Sequence, residues 1–254
     1  MCEIYGVSSS NEMKINNDLE IFFSHSHKHC HGWGLATFGK EGTIIKEGIA
    51  AYKSDLLKKK LSRNILEKLA IAHIRYATTG ETKKENAHPF VRKDILGTEW
   101  TLVHNGISTN GQVYKKYRKY AKGETDSETI LIFLVNKINK EIIKNGSKKL
   151  STVQVGDVLQ KAIKDLSRLN NRINLLFTDG KRLYVHCNFK NSLYKRKEAN
   201  AVTFATEPLD KDKLWEPVKI NTLFIYKDGR LLYEGKAHNH EYFKPEITDK
   251  KLII

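Results

Sequence analysis

Cysteine, proline and methionine are scarce in this chain of 254 residues, which has three, four and two of them. The three cysteines, Cys2, Cys30 and Cys187, are odd in number and far apart. A chain of this length buries a core without covalent staples, so free thiols in a reducing compartment are expected rather than a disulfide framework. No apolar run reaches the roughly 18 residues that a membrane helix needs, so no membrane span is expected. The opening "MCEIYGVSSSNEMKINND" lacks a basic stretch followed by an apolar one, the pattern of a secretion signal, and a cytoplasmic location is the default. Long Pro/Gly/Ser-rich linkers are missing too, and residues 1–254 read as one domain. Nor is there a GxGxxG, a GxxxxGK[ST] or a GxSxG, which removes the usual support for a phosphate cradle or a serine nucleophile elbow. No cofactor is expected.

Positive charge is plentiful: 44 Lys and Arg against 29 Asp and Glu give +15. Such an excess favours polyanions through steering and counterion release. Here it is mostly lysine and is spread over "LLKKKL", "ETKKEN", "VYKKYRKYAK" and "NGSKKL", so solvated faces are the preferred reading and no nucleic acid is expected. A basic nucleic-acid-binding module stays as the non-enzymatic alternative.

Residues 1–9 alternate like a strand, and "GWGLATF" and "GTIIKEG" read as two more. "SDLLKKKLSRNILEKL" has helical spacing, with Ser54 or Asp55 as its cap. "AIAHIRYATTG" reads as a buried strand ending in a small-residue turn, and "EWTLVHNG" as a strand running into an Asn-Gly turn. "TDSETILIFLVNKINKEIIKN" is the clearest helix, with Thr125 or Asp126 at its cap and Glu128 in its first turn. A second helix covers about 151–169. The last third holds two hairpins, turning at Asp179-Gly180 and Asp228-Gly229, with the strand "AVTFATEPL" between them. This order, without βα alternation, disfavours a parallel sheet and predicts an α+β fold of antiparallel sheets with a helical layer.

The most visible cluster is "HSHKHCHGWG", with His25, His27, His29, Cys30 and His31. Alternate histidines on a strand share a face and suit a transition metal. Structural sites, however, pair ligands from two separated segments, and no CxxC or HxxxH follows. A solvent-facing loop leading into the "GWG" strand is preferred, and no metal is expected.

Four polar positions at strand ends remain: Cys2, Arg75, Asn105-Gly106 and Asp126. Singly they read as a small apolar residue, a surface ion pair, a turn and a helix cap. Together they describe a site for one kind of substrate. An arginine fork binds a carboxylate, an acid binds an ammonium, and an amide beside a glycine N–H makes an oxyanion hole. A cysteine supplies the nucleophile.

The chain resembles the class II glutamine amidotransferases, which are N-terminal nucleophile hydrolases, and most closely their stand-alone single-domain branch. The resemblance is carried, in the family's order, by "MCEIYGVS", "HGWGLATF", "AHIRYATTG", "NAHPF", "LVHNGIS", "GETDSE" and "FATEPL", which span residues 1 to about 210. It implies a four-layer αββα sandwich and a site that transfers residue by residue. Cys2 would be the nucleophile once Met1 is removed. Arg75, assisted by Thr78, would hold the glutamine α-carboxylate, and Asp126 the α-ammonium. Asn105 and Gly106 would be oxyanion donors through a side-chain amide and a backbone N–H. His31 departs from the acid that many stand-alone members carry before "GWG". The expected reaction is hydrolysis of glutamine to glutamate, with ammonia passed to a separate synthase subunit. Hydrolysis of another γ-glutamyl amide and an inactive protein are the alternatives, because the chain ends where the glutaminase domain of the family does. Residues 235–254 lie beyond the matched motifs.

Overall fold

Strand alternation sets the layers of this molecule. The computed structural model describes residues 2–40, 42–77, 80–108, 112–211 and 214–245. The first strand, β1 (Glu3–Lys14), runs well past the stretch read as a strand in the sequence. Its Tyr5 and Val7 face outward onto Leu19, Phe22 and Phe23 of α1 (Asn16–Ser24). Its Ile4 faces the other way, into a core shared with Leu176 and Phe204.

β1 lies at the centre of a seven-stranded sheet. On one side come β4 (Leu66–Ile74), β2 (Trp33–Thr37) and β3 (Ile44–Glu47). On the other come β10 (Ala201–Ala205), β9 (Tyr194–Lys197) and β11 (Trp215–Pro217). A six-stranded sheet stacks against it in the order β13 (Arg230–Glu234), β12 (Phe224–Lys227), β8 (Leu183–His186), β7 (Arg172–Thr178), β6 (Glu99–Ile107) and β5 (Phe90–Lys93). All these pairings are antiparallel. In β7, Leu176 joins the core between the sheets, whereas Ile173, Leu175 and Phe177 face α4 (Asp126–Lys144) and α5 (Thr152–Leu166). The layers are therefore helix, sheet, sheet, helix, the α+β sandwich implied by the resemblance. No described helix is long and apolar enough to cross a membrane.

Capping chemistry explains the helix limits. Thr125 accepts from the Glu128 N–H at the start of α4, and Ser151 with Gln154 forms a capping box at the start of α5. Three local readings give way to tertiary demands. The helix read from "SDLLKKKLSRNILEKL" is only α2 (Asp55–Leu61), capped by Ser54. Asn16 stops it by donating to the carbonyls of Leu61 (2.8 Å) and Arg63 (2.7 Å) and accepting from Ile65 N–H. This frees "LEKL" to open β4. The Asn105-Gly106 pair is no turn but part of β6, opposite Asn174 and Ile173. Neither residue has the positive φ that a hairpin type I′ turn requires, whereas Asp228 (φ 51°) and Gly229 (φ 73°) both do.

The histidine-rich segment is the third. α1, which the sequence reading did not contain, leads into a single 3-10 turn at His25–His27. His25 Nδ1 and His29 Nε2 then each lie 2.8 Å from the carboxylate of Glu3, the residue after Cys2. Beyond β13, Gly235, His238 and Tyr242 donate backbone N–H groups to Leu223, Asn221 and Asn188, so 235–245 follows the second sheet. Residues 246–254 lie outside the described residues.

Gly34 of "GWG" lets the "NAHPF" segment cross the sheet. A Cβ there would run into the His88 carbonyl and approach Pro89 Cδ to 2.8 Å. Gly34→Ala is predicted to cost about 3 kcal/mol, as overpacking against backbone does. Urea unfolding checks this, and a loss under about 1 kcal/mol would contradict the close crossing.

The Glu3 clamp makes a pH prediction. Burial alone would raise the Glu3 carboxyl, but hydrogen bonds from His25 and His29 outweigh it and hold it at about 2, below the ordinary 4.5. The stabilisation is therefore present above pH 4.5 and lost as pH falls through about 2, and it is worth about 3 kcal/mol. His25 is raised by the same bond, so its contribution is lost as pH rises through its folded value. The stability gap between wild type and Glu3→Gln should be widest near pH 6 and narrow towards pH 3. A gap that stayed constant would contradict the clamp.

Candidate active site

Because β1 is central, its beginning emerges between the ends of two neighbours. Glu3 pairs with Ile74 of β4, and Tyr5 pairs with Ala205 of β10. The next residues, Arg75 and Thr206, therefore flank the start of β1. Cys2 is partly buried there. Tyr76 N–H donates to its Sγ at 3.3 Å, and the Tyr76 carbonyl lies 3.5 Å away. Burial pushes the Cys2 thiol up, and the Tyr76 bond and the Arg75 charge only partly offset it.

Arg75 is fixed by its backbone, which donates to Gly32 (2.8 Å) and accepts from His31 (3.0 Å). Its guanidinium, buried at 3% exposure, donates to the carbonyls of Glu81 (2.9 Å), Gly80 (3.2 Å) and His31 (3.5 Å). Burial lowers its pKa, against the pull of Cys2, Glu124 and Asp126, so these charges are in electrostatic reach of one another. His31 Nδ1 accepts from Ala77 N–H at 3.0 Å. Thr78 lies outside the described residues.

The second sheet contributes β6. Leu102 faces the helices and Val103 the core between the sheets, so Asn105 points towards the first sheet. There its Nδ2 donates to Thr206 Oγ1 at 3.3 Å. His104 turns the opposite way, to Ser127 Oγ (3.0 Å) and the Arg172 carbonyl (3.1 Å). Only glycine fits at 106, where a Cβ would collide with the Arg172 carbonyl and the His104 ring.

Asp126 opens α4, a favourable place for an anion. Its Oδ2 accepts from Ser108 N–H at 2.6 Å, which ties the helix start to the end of β6. The preceding loop is fixed to the arginine loop through Glu124. Its carboxylate accepts from Lys83 Nζ (2.6 Å), Asn86 Nδ2 (2.9 Å) and Glu81 N–H (3.0 Å), and its own N–H donates to Asn86 Oδ1 (2.7 Å). Lys83 and these bonds hold the Glu124 carboxyl at about 2.

Cys2, Arg75, Asn105 and Asp126 thus meet at one end of the stacked sheets. Residue-type reasoning missed Tyr76, Asn86, Ser108, Glu124 and Thr206, which hold them. Each sits inside "HIRYATTG", "NAHPF", "HNGIS", "GETDSE" or "FATEPL", and that placement was the available signal. The arrangement joins a thiol, a cation, a carboxylate and an amide donor.

Residues 1–198 match the family model of class-II glutamine amidotransferases. A Haemophilus influenzae protein named "Putative glutamine amidotransferase" is 27% identical over 264 residues, covering 92% of this chain and 87% of its own length. The amidophosphoribosyltransferase of Methanocaldococcus jannaschii is 31% identical over 161 residues, which cover 59% of this chain and 34% of that protein. The 2.0 Å crystal structure of a predicted glutamine amidotransferase from Pseudomonas aeruginosa has the same fold, with TM-score 0.64 and 21% identity over 91% of this chain and all of that one. By sequence match and by fold, the chain belongs to the class II glutamine amidotransferases.

Proposed function

We propose that the protein, once Met1 is removed, hydrolyses the side-chain amide of glutamine with Cys2 as nucleophile. The observation that carries this reading is the convergence of Cys2, Arg75, Asn105 and Asp126 at one end of the two sheets. A thiol raised by burial needs a base. The α-amine of Cys2, with an ordinary pKa of about 7.7 to 8, is partly neutral near pH 7 and takes the proton directly or through a water. Burial holds His73, His88 and His104 below the ordinary imidazole range, which makes each a weak base.

Cys2 Sγ bonds to the amide carbon, and the oxyanion is held by the Asn105 side chain and the Gly106 N–H. As the C–N bond breaks, the proton taken from the thiol passes to the departing nitrogen, which leaves as ammonia. Water then cleaves the γ-glutamyl thioester, giving glutamate and the free thiol. Arg75, with Thr78, clamps the α-carboxylate, and Asp126 receives the α-ammonium. The ammonia goes to a separate synthase partner.

Protein lacking Met1 should release glutamate and ammonia from glutamine, and Cys2→Ala should abolish both. Asn105→Ala should cut kcat by about 100- to 1000-fold, whereas Arg75→Ala should act mainly on KM. Release from other γ-glutamyl amides in place of glutamine would keep the nucleophile and change the substrate. If neither glutamine nor such a panel yields glutamate, and a diazo-ketone glutamine analogue leaves the intact mass of Cys2 unchanged, the catalytic reading fails.

A further inference from the structure

The structure assigns Thr206 as a positioning residue that sets the spacing between the nucleophile and the oxyanion amide. This rests on the reading of Cys2 and Asn105 above. Thr206 Oγ1 accepts the Ile4 N–H at 2.9 Å and the Asn105 Nδ2–H at 3.3 Å. The Thr206 N–H donates in turn to the Ile4 carbonyl at 3.0 Å. Residue 206 is thus bonded to both backbone groups of a residue two positions from Cys2. Its hydroxyl accepts from the Asn105 amide, which comes from the opposite sheet and belongs to a residue only 1% exposed.

Two physical points follow. An asparagine amide turns about its last torsion, and the direction of its donors is set by its partner. The Nδ2 has two hydrogens, so one can stay on Thr206 while the other is offered to an oxyanion. The residue also couples the two sheets, so a displacement of Asn105 relative to β1 is resisted at this hydroxyl. Reacting groups misplaced by about 1 Å lose about 100-fold in rate. Arg75 and Asp126 hold the other end of the substrate, so binding should not depend on Thr206.

Thr206→Val keeps the shape and removes the acceptor. It is expected to lower kcat by about 10- to 100-fold with KM within about twofold, and Thr206→Ser should restore most of the rate. In an Asn105→Ala background, Thr206→Val should cost nothing more, as coupled residues do in a double-mutant cycle. Alkylation of Cys2 by iodoacetamide, which forms no oxyanion, should keep its wild-type rate in Thr206→Val. Full additivity with Asn105→Ala, or an equal fall in alkylation, would overturn the assignment and leave Thr206 as a brace of β1. If Thr206→Val does not fold, Thr206→Ser and Thr206→Ala enter the same cycle, and a rate equal in both would overturn it as well. Wild-type protein that releases no glutamate, or a Cys2→Ala variant that still does, would remove the parent reading and this assignment together. An active, Cys2-dependent wild type unaffected by Thr206→Val would remove this assignment alone.

Discussion

The central position of β1 is the constraint on which the rest depends. A chain that starts in the middle of a seven-stranded antiparallel sheet has its first residues flanked by the trailing ends of two other strands. Register does the remainder: Glu3 opposite Ile74 and Tyr5 opposite Ala205 bring Arg75 and Thr206 to residue 2's end of the sheet. The pairing is held by packing on both faces, through Tyr5 and Val7 on α1 and Ile4 on the second sheet. Glu3 adds a polar anchor of two histidine bonds directly after Cys2. Cys2 thus sits beside a strand paired on both sides and packed on both faces.

Stacking of the sheets then brings in what β1 cannot supply. Period-two alternation in β6 sends Val103 inward, and Asn105 after it, while His104 turns to the helix side and meets Ser127. The same strand therefore serves both of its faces at adjacent residues, one towards the first sheet and one towards the start of α4. Gly106 lets β6 pass under the Arg172 carbonyl without displacing either neighbour.

Much of this was legible in the sequence, and the losses have physical reasons. The layers, the two long helices with their caps and the Asp-Gly hairpins follow from periodicity and local chemistry. Asn-Gly at 105–106 carries the local signature of a turn, yet pairing with Asn174 and Ile173 extends the strand through it, because tertiary hydrogen bonds outweigh a local preference. The "NILEKL" stretch is helical in spacing, but Asn16, some 45 residues earlier, captures the helix end. The histidine run read as a loop because nothing near it in sequence shows that Glu3 needs two donors. Thr206, Asn86 and Glu124 were legible only as members of quoted motifs, since their roles rest on contacts with residues distant along the chain.

The site divides its tasks between two kinds of support. Cys2 precedes the central strand of one sheet and Asn105 lies in a strand of the other, each strand hydrogen-bonded to neighbours on both sides. The groups suited to a substrate's charges, Arg75 and Asp126, are set by loop and helix-start bonds, with Glu124 and Asn86 joining the two loops. Glu128 turns back to accept from Lys122 and Gly123 N–H groups, so the loop before Asp126 is tied to the helix it precedes. These loops lock to each other as well as to the strand ends, Arg75 through Gly32 and His31 and Asp126 through Ser108. The spacing of the Cys2 thiol and the Asn105 amide is set by the strands, whose positions are coupled to the whole core.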